Sequence, residues 1–596
     1  MSRYVAGLLR TEQEMTGRNE ACSCGSGRKF KHCCERLRPV TRSVAATATQ
    51  QLHRALSQGR LEEAVVLFSQ LLEQQPGQTA LQLEYGKLLL RLDRAEQAAK
   101  AFEPLCHQQG AIVREAWVGW GMALRLMGDL DGWIRVWQRL LELSSYDRQA
   151  LLELGRHALA HACYHRAEYA YARIARQEPE DWTAGSSQVY VQNYRADLSE
   201  EARYSTAWAW GDHVSALWRA RWGNDTKIIA ETEARSVLRV GLVSGDLRQH
   251  PVGHFLEALL PRIDQRRIQL VVFDHAPQQD ALTDRLRPWV REWHRLYGLN
   301  DEAILACFQH HSVHVLLDLA GHTRHTLLPW FSLRLAPVQV SWLGYWATTG
   351  LPEMDYVLAD EWVLPTDSSH GFRERIYRMP GSYRCFTPPV ESVAVAAAPI
   401  VKNGYPVFGS MHHLSKLNEP VLKVWKGILD AIPLAQLLIK THALDAEDDR
   451  RVYARYLGRL GFPLDRVQLE GSSDRQTYLE EYRKMDVLLD PFPFTGGTVS
   501  VESLWMGVPI LAMGGHDFVS RSPMNLLGPL SMLDWVASDE KHYIALAVEK
   551  TRSAQTLNTL RLGLRQRLQN SVLMDAQAFA QNWMSAMEQI WQEHAS

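Results

Sequence analysis

DVLLDPFPFTGGTVSVESLWMG, residues 486–507, decides how this chain folds. An apolar run, Val487 to Leu489, enters a proline-rich turn, then a Gly496-Gly497-Thr498 corner, then a helical pattern with Glu502 four residues after Thr498. Glycines lack Cβ and tolerate positive φ, so the backbone here is expected to approach a ligand closely. The helix start beyond them offers free N–H groups and a positive dipole end, which suits a diphosphate. Thr498 and Glu502 share one helix face, so a carboxylate there could bind ribose hydroxyls. An ordinary strand–turn–helix corner would read the same way, because short glycine motifs are weak evidence alone.

The same alternation extends in both directions. Upstream, Val240 to Val243, Leu270 to Phe273, Val313 to Leu317, Val338 to Trp342 and Tyr356 to Leu358 read as short buried strands separated by helical stretches. After a small-residue linker, Val393 to Pro399, the pattern restarts: Val407 to Gly409, a helix from Pro420, Leu437 to Lys440, Val467 to Leu469, Val487 to Leu489 and Ile510 to Met513. Two such blocks predict two doubly wound parallel sheets with ligand at the strands' carboxyl ends. Facing lobes of this kind form the GT-B arrangement of nucleotide-sugar transferases. A two-lobed binding protein or a dehydrogenase has the same periodicity, but the turn after Val243 lacks G-x-G-x-x-G, which argues against a dinucleotide enzyme.

Ahead of the lobes, residues 45–181 carry a period of 34 or 35. Gly86, Gly121 and Gly155 recur at one phase, each after a large apolar residue. Ala64, Ala98, Trp133 and Ala167 recur at another, followed four residues later by Phe68, Phe102, Trp137 and Tyr171. This is the tetratricopeptide (TPR) pattern over four units, a short solenoid that holds a peptide or protein and offers no chemistry. Residues 182–235 read as a helical connector.

At the front, Cys22, Cys24, Cys33 and Cys34 fall within C-S-C-G-S-G-R-K-F-K-H-C-C. Two close cysteine pairs around a glycine-rich turn can wrap one tetrahedral ion, and four thiolates suit structural Zn²⁺. His32 is an alternative ligand. The spacing resembles the SEC-C motif, and residues 18–38 are expected to be a closed docking knuckle that needs metal to fold.

Bulk properties exclude several classes. A chain of 596 residues makes several domains. With 65 basic and 67 acidic residues there is no field suited to nucleic acid, although the first 42 residues carry nine Lys/Arg against four Glu. No apolar run approaches the ~20 residues of a membrane span, and no signal peptide is evident, so a cytoplasmic location is expected. Eight Cys in this length is not a disulfide framework.

Six ordered segments over residues 198–594 carry a resemblance: RVGLVSGDLRQHPVGHF, DLAGHT, LRLAPVQVSWLGY, MDYVLAD, LSKLN and DPFPFTGGTVSVESLWMGVP. Together they resemble the catalytic region of the O-GlcNAc transferase/SPINDLY family of protein glycosyltransferases, and the repeats match its layout. The resemblance implies lobes at 236–392 and 400–596, the second binding the nucleotide sugar. It also implies inverting, metal-independent transfer to a protein side chain, with UDP-GlcNAc as the expected donor and Ser/Thr as acceptor. By position, His250 matches the acceptor-side histidine, and a side chain titrating near 6.5 suits a base. Lys416 matches the lysine on the donor diphosphate, where a fixed cation stabilises the leaving group. His413, Gly496, Gly497, Thr498 and Glu502 match donor-binding positions, and His254, His314 and His322 resemble pocket positions for which a structural role fits equally. The D-x-D run Asp129-Leu130-Asp131 falls in a repeat turn, so no catalytic metal is expected. Departures from the family pattern, namely Trp346, Val499, Gly497 and the pair Met411-His412, bear on sugar identity. Another donor (GDP-fucose or a UDP-hexose), an Asn acceptor, or an inactive adaptor built on knuckle and repeats are the alternatives.

Overall fold

A computed structural model of the chain describes residue 29 and residues 41–108, 112–223, 237–367 and 371–595. The zinc knuckle expected at 18–38, with Cys22, Cys24, Cys33 and Cys34, lies outside them. The chain divides into two compact units, Met1–Leu154 and Gly155–Ser596.

In the first unit the helices Thr41–Ser57, Leu61–Gln74, Thr79–Arg91, Ala95–Cys106, Ile112–Leu126 and Leu130–Leu143 each pack on the next. The repeat pattern has a steric cause. A Cβ on Gly86 would lie 2.7 Å from the Phe102 ring, and one on Gly121 3.2 Å from the Trp137 ring, so glycines of one phase admit aromatics of the other. Trp133, at a position where a small residue is usual, is buried against Trp137 with ring centres 6.3 Å apart.

The boundary cuts the helix Arg148–Ala160, so most of the expected fourth repeat lies in the second unit. There the helix Tyr164–Gln177 packs on Trp182–Gln192, and a Cβ on Gly155 would lie 3.0 Å from the Tyr171 ring. The helix Glu200–Trp222 follows, and its connector role is only part of what it does. Trp210, Val214 and Trp218 enter the core with Phe273, Leu316 and Trp330, and a Cβ on Gly211 would stand 1.8 Å from the Gly350 carbonyl oxygen.

Two all-parallel sheets form the rest. The first has β1 Leu238–Ser244, β2 Ile268–Asp274, β3 Glu292–Arg295, β4 Val315–Asp318, β5 Val338–Ser341, β6 Tyr356–Ala359 and β7 Arg375–Arg378, in the order β3-β2-β1-β4-β5-β6-β7. The second has β8 Val407–Ser410, β9 Gln436–Lys440, β10 Val467–Glu470, β11 Val487–Leu489, β12 Ile510–Met513 and β13 Val536–Ala537, in the order β10-β9-β8-β11-β12-β13. In each sheet the winding reverses at one junction, β1/β4 in the first and β8/β11 in the second. Ligands of doubly wound sheets bind beyond the carboxyl ends of such a pair.

The helix Ala576–Ala595 follows the whole second lobe in sequence yet packs on the first. Phe579, Trp583, Met584 and Met587 complete one core with Leu242, Val272 and Trp342. Arg267 binds Glu588, and the Tyr356 hydroxyl donates to Glu593. Among the described residues no helix is long and apolar enough to cross a membrane.

Candidate functional site

The carboxyl ends of β8 and β11 carry the residues that the sequence pattern singled out in the second lobe. Beyond β11, the Asp490 carboxylate organises the turn. Its Oδ1 accepts the Gly496 N–H at 3.0 Å and the Ser500 hydroxyl at 2.8 Å, and lies 3.1 Å from His412 Nε2. A Cβ on Gly496 would fall 1.9 Å from Ser500 Oγ and 2.5 Å from both Asp490 Oδ1 and His412 Nε2, so only glycine fits. The expected reason, positive φ, does not apply: Gly496 is not among the positive-φ residues, and Gly497 has φ −119°. Gly497 caps the helix Thr498–Trp505 without crowding, since its nearest neighbour would be Arg384 Nη1 at 3.7 Å. The Thr498 hydroxyl at the helix start is buried with no protein partner, a polar atom left for a ligand.

Glu502 is buried and paired with Arg475. With Thr498 they line a cleft of about 340 Å³ that also touches His254 and Phe255 of the first lobe, within the usual range of ligand pockets. The ribose-binding role expected of Glu502 would therefore be shared with a cation.

Beyond β8, Lys416 Nζ donates to the Thr495 carbonyl at 2.6 Å and lies 4.4 Å from the Phe494 ring centre. Desolvation lowers its pKa to about 8, opposed by the Asp490 charge. His413, three residues earlier, is pushed down to about 4, first by desolvation and then by His442 and Lys416. Its ring centre lies 4.9 Å from that of His442.

Both loops lean on helices that precede the lobes. The Tyr164 hydroxyl donates to the Ser415 carbonyl at 2.6 Å, and the Tyr194 ring stacks on Phe494 at 4.3 Å. Trp346 meets Phe494 edge-on at 5.2 Å. The tryptophan that departs from the family pattern thus helps seat the aromatic residue beside Lys416.

In the first lobe the histidines separate. His250 caps the helix Pro251–Leu259, its Nδ1 taking the Val252 N–H at 3.4 Å. Burial, then Arg248 and His254, lower its pKa to about 4. His254, one turn on, lines the cleft and lies 3.3 Å from Glu257. His314 precedes β4 at the amino end of the sheet, accepts the Arg239 N–H at 2.9 Å and packs on Trp591. His322 bonds Ser186 at 2.8 Å and Thr349 O at 3.0 Å, which pins a helix to the lobe. These last two are structural. Asp129 is likewise a helix cap, accepting the Gly132 N–H at 2.9 Å.

Three residues that surround the glycine turn and its helix were not apparent in the sequence: Asp490, Arg475 and Arg384. Asp490 could have been found as the acidic residue ending a buried strand. The two arginines come from segments without any motif and meet the turn only in three dimensions.

Sequence profiles match three regions: glycosyl transferase family 41 at residues 210–386 and 400–583, the SEC-C motif at 18–36 and a tetratricopeptide repeat at 55–109. A Petunia hybrida protein named as a probable UDP-N-acetylglucosamine–peptide N-acetylglucosaminyltransferase SPINDLY is 31% identical over 424 residues, 70% of this chain and 45% of that protein. The chain thus spans about half the length of the curated relatives it matches. A Solanum lycopersicum protein of the same name is 31% identical over 422 residues, again covering 70% of this chain and 45% of that protein. Among solved structures, a mutant Thermobaculum terrenum O-GlcNAc transferase superposes with TM-score 0.73 at 26% identity, covering 93% of this chain and 99% of that one.

Proposed function

The chain belongs to glycosyl transferase family 41, and from that premise we propose that it moves a sugar, expected to be GlcNAc from UDP-GlcNAc, to Ser/Thr hydroxyls of a protein selected by the repeats. The observation that carries this reading is the convergence at the β8/β11 junction. A desolvated lysine bonded to the Thr495 carbonyl, a helix start at Thr498 and a buried hydroxyl without a protein partner meet on one turn. Such a set suits a diphosphate leaving group.

In the reaction proposed, the acceptor oxygen attacks the anomeric carbon from the face opposite the nucleotide. The new C–O bond forms as the bond to the β-phosphate oxygen breaks, and the nucleoside diphosphate leaves. Lys416 holds the negative charge that develops there. The hydroxyl proton is released to solvent water on the acceptor side, where His250 is the candidate residue that holds the acceptor. An imidazole at about 4 is neutral at pH 7 but a weak base, and the Val252 N–H on its Nδ1 leaves the ring proton on Nε2. His250 therefore serves mainly to orient the acceptor, and most of the rate acceleration rests on the leaving-group side.

A donor panel tests the reading. In thermal unfolding, the true donor at 100 times its Kd should add about 2.7 kcal/mol of stability. UDP-GlcNAc is expected to give that shift, with UDP-glucose and GDP-fucose as the competing donors. No shift with any nucleotide or nucleotide sugar would point instead to an adaptor.

Four thiolates at Cys22, Cys24, Cys33 and Cys34 fit one structural Zn²⁺ by donor chemistry, and the SEC-C match agrees. Thiol modification should release one Zn²⁺ per chain, read by a chromogenic chelator. Transfer to a short peptide should meanwhile survive EDTA. Activity lost to EDTA and restored only by Mn²⁺ would overturn the metal-free mechanism.

A further inference from the structure

The segment leaving β7 carries Arg384 into the interior, where only 4% of it is exposed. Its Nε donates to Asn525 Oδ1 at 2.8 Å, and its Nη2 to the Ser522 hydroxyl at 3.1 Å and the Ser522 carbonyl at 3.4 Å. Asn525 is fixed in turn, donating to Asp360 Oδ2 at 2.6 Å and to Ser382 Oγ at 2.8 Å. The guanidinium is thus held in one orientation by neutral acceptors, and no carboxylate touches it among the described residues. Its Nη1 has no acceptor among the described residues and faces Gly497, where a Cβ would lie 3.7 Å away.

A guanidinium keeps its charge under all ordinary conditions; the buried Asp360 carboxylate lies behind Asn525 on the Nε side, so the Nη1 side has no carboxylate in direct contact, which is unfavourable for a buried charge. The partner such a group calls for is an anion. At the same place stand the free N–H groups of the helix Thr498–Trp505 and the unpartnered Thr498 hydroxyl. Glycine at 497 leaves no side chain between the guanidinium and the helix start. We propose that Arg384 is the second cation of the donor site, binding a phosphate oxygen of the nucleoside diphosphate through Nη1 beside the helix start. This rests on the nucleotide-sugar reading given above. It divides the work: Lys416 meets the anion from the β8 loop, and Arg384 from the segment that joins the lobes.

UDP and uridine, titrated into the full-length protein by calorimetry, separate a phosphate contact from general damage. Loss of one charge-assisted hydrogen bond should weaken UDP binding by roughly 10- to 100-fold. Arg384→Met should show that loss while uridine affinity stays within about twofold, and Arg384→Lys should regain part of it. Equal loss for UDP and uridine, or no loss in a folded Arg384→Met, would overturn the proposal. Should Arg384→Met fail to fold, Gly497→Asp decides. At φ −119° it is outside the left-handed region, and its carboxylate would take the phosphate's place beside Nη1. Reduced UDP affinity with uridine retained supports the assignment, and wild-type UDP affinity removes it. If the wild-type protein binds neither UDP nor a nucleotide sugar, the nucleotide-sugar reading itself fails, a different result from the loss of Arg384.

Discussion

Lys416→Ala is expected to lower turnover by roughly 10²–10³ while leaving the melting temperature nearly unchanged. In the reaction proposed, the lysine acts where charge develops, on the departing diphosphate, so its removal should appear in kcat more than in ground-state affinity. Its ammonium makes one hydrogen bond, to a backbone carbonyl, and is already disfavoured by desolvation. Removing it therefore forfeits little folding energy. The same desolvation predicts a pH signature. In the proposed role the charged form binds phosphate, and desolvation lowers the pKa of the free enzyme's lysine to about 8. The kcat/KM profile, which reports the free enzyme, should thus fall as pH rises through about 8. Bound diphosphate favours the ammonium, so the corresponding limb of kcat should lie higher. Lys416→Arg should abolish the limb because guanidinium does not titrate there. Near-normal kcat in a folded Lys416→Ala would take the residue out of the site.

The second large effect concerns where the chain is cut. Removing residues 1–147 keeps the helix Arg148–Ala160 whole and leaves the unit that begins at Gly155 with its own core. UDP affinity should stay within about twofold, because solenoid repeats interact chiefly with their neighbours. Transfer to the natural protein acceptor should be lost if the repeats select it. Removing residues 1–181, the boundary suggested by the repeat pattern, should behave differently. That cut deletes Tyr164, whose hydroxyl holds the Ser415 carbonyl, and it uncovers the faces packed against Tyr171 and Ile174. Tyr194, whose ring centre lies 5.5 Å from that of Tyr164, then loses its support beneath Phe494. UDP binding should weaken by at least about tenfold, the size of one lost buried hydrogen bond, or the fragment should aggregate. Equal UDP affinity in both truncations would show that the fourth repeat is no buttress.

What was legible in the sequence follows from burial. The central strands read clearly because both of their faces are covered, which demands unbroken apolar runs such as Val240 to Val243 and Val487 to Leu489. The sheet-edge strands β3 (Glu-Trp-His-Arg) and β7 (Arg-Ile-Tyr-Arg) are only partly covered, so they lack such runs and leave no signal. The second lobe's site was legible where contacts are local: Gly496, Thr498 and Glu502 lie within one strand–turn–helix, although Asp490 beside them was passed over. Arg384 and Arg475 reach it from elsewhere in the chain, and no spacing rule connects them to the turn. The histidines were ambiguous for a related reason. His314 and His322 lie in the same lobe as His250, and their hydrogen bonds tie each of them to the surrounding fold.

The return of the helix Ala576–Ala595 to the first sheet orders events during synthesis. The ribosome finishes residues 238–378 long before it makes Phe579, Trp583 and Met587, so one face of that sheet waits uncovered while the entire second lobe emerges. The first lobe, although earlier in the chain, is completed last. A nascent chain stalled before residue 576 would carry a formed second lobe beside an open, apolar sheet face. Quality control can therefore recognise an unfinished molecule by the lobe that was made first.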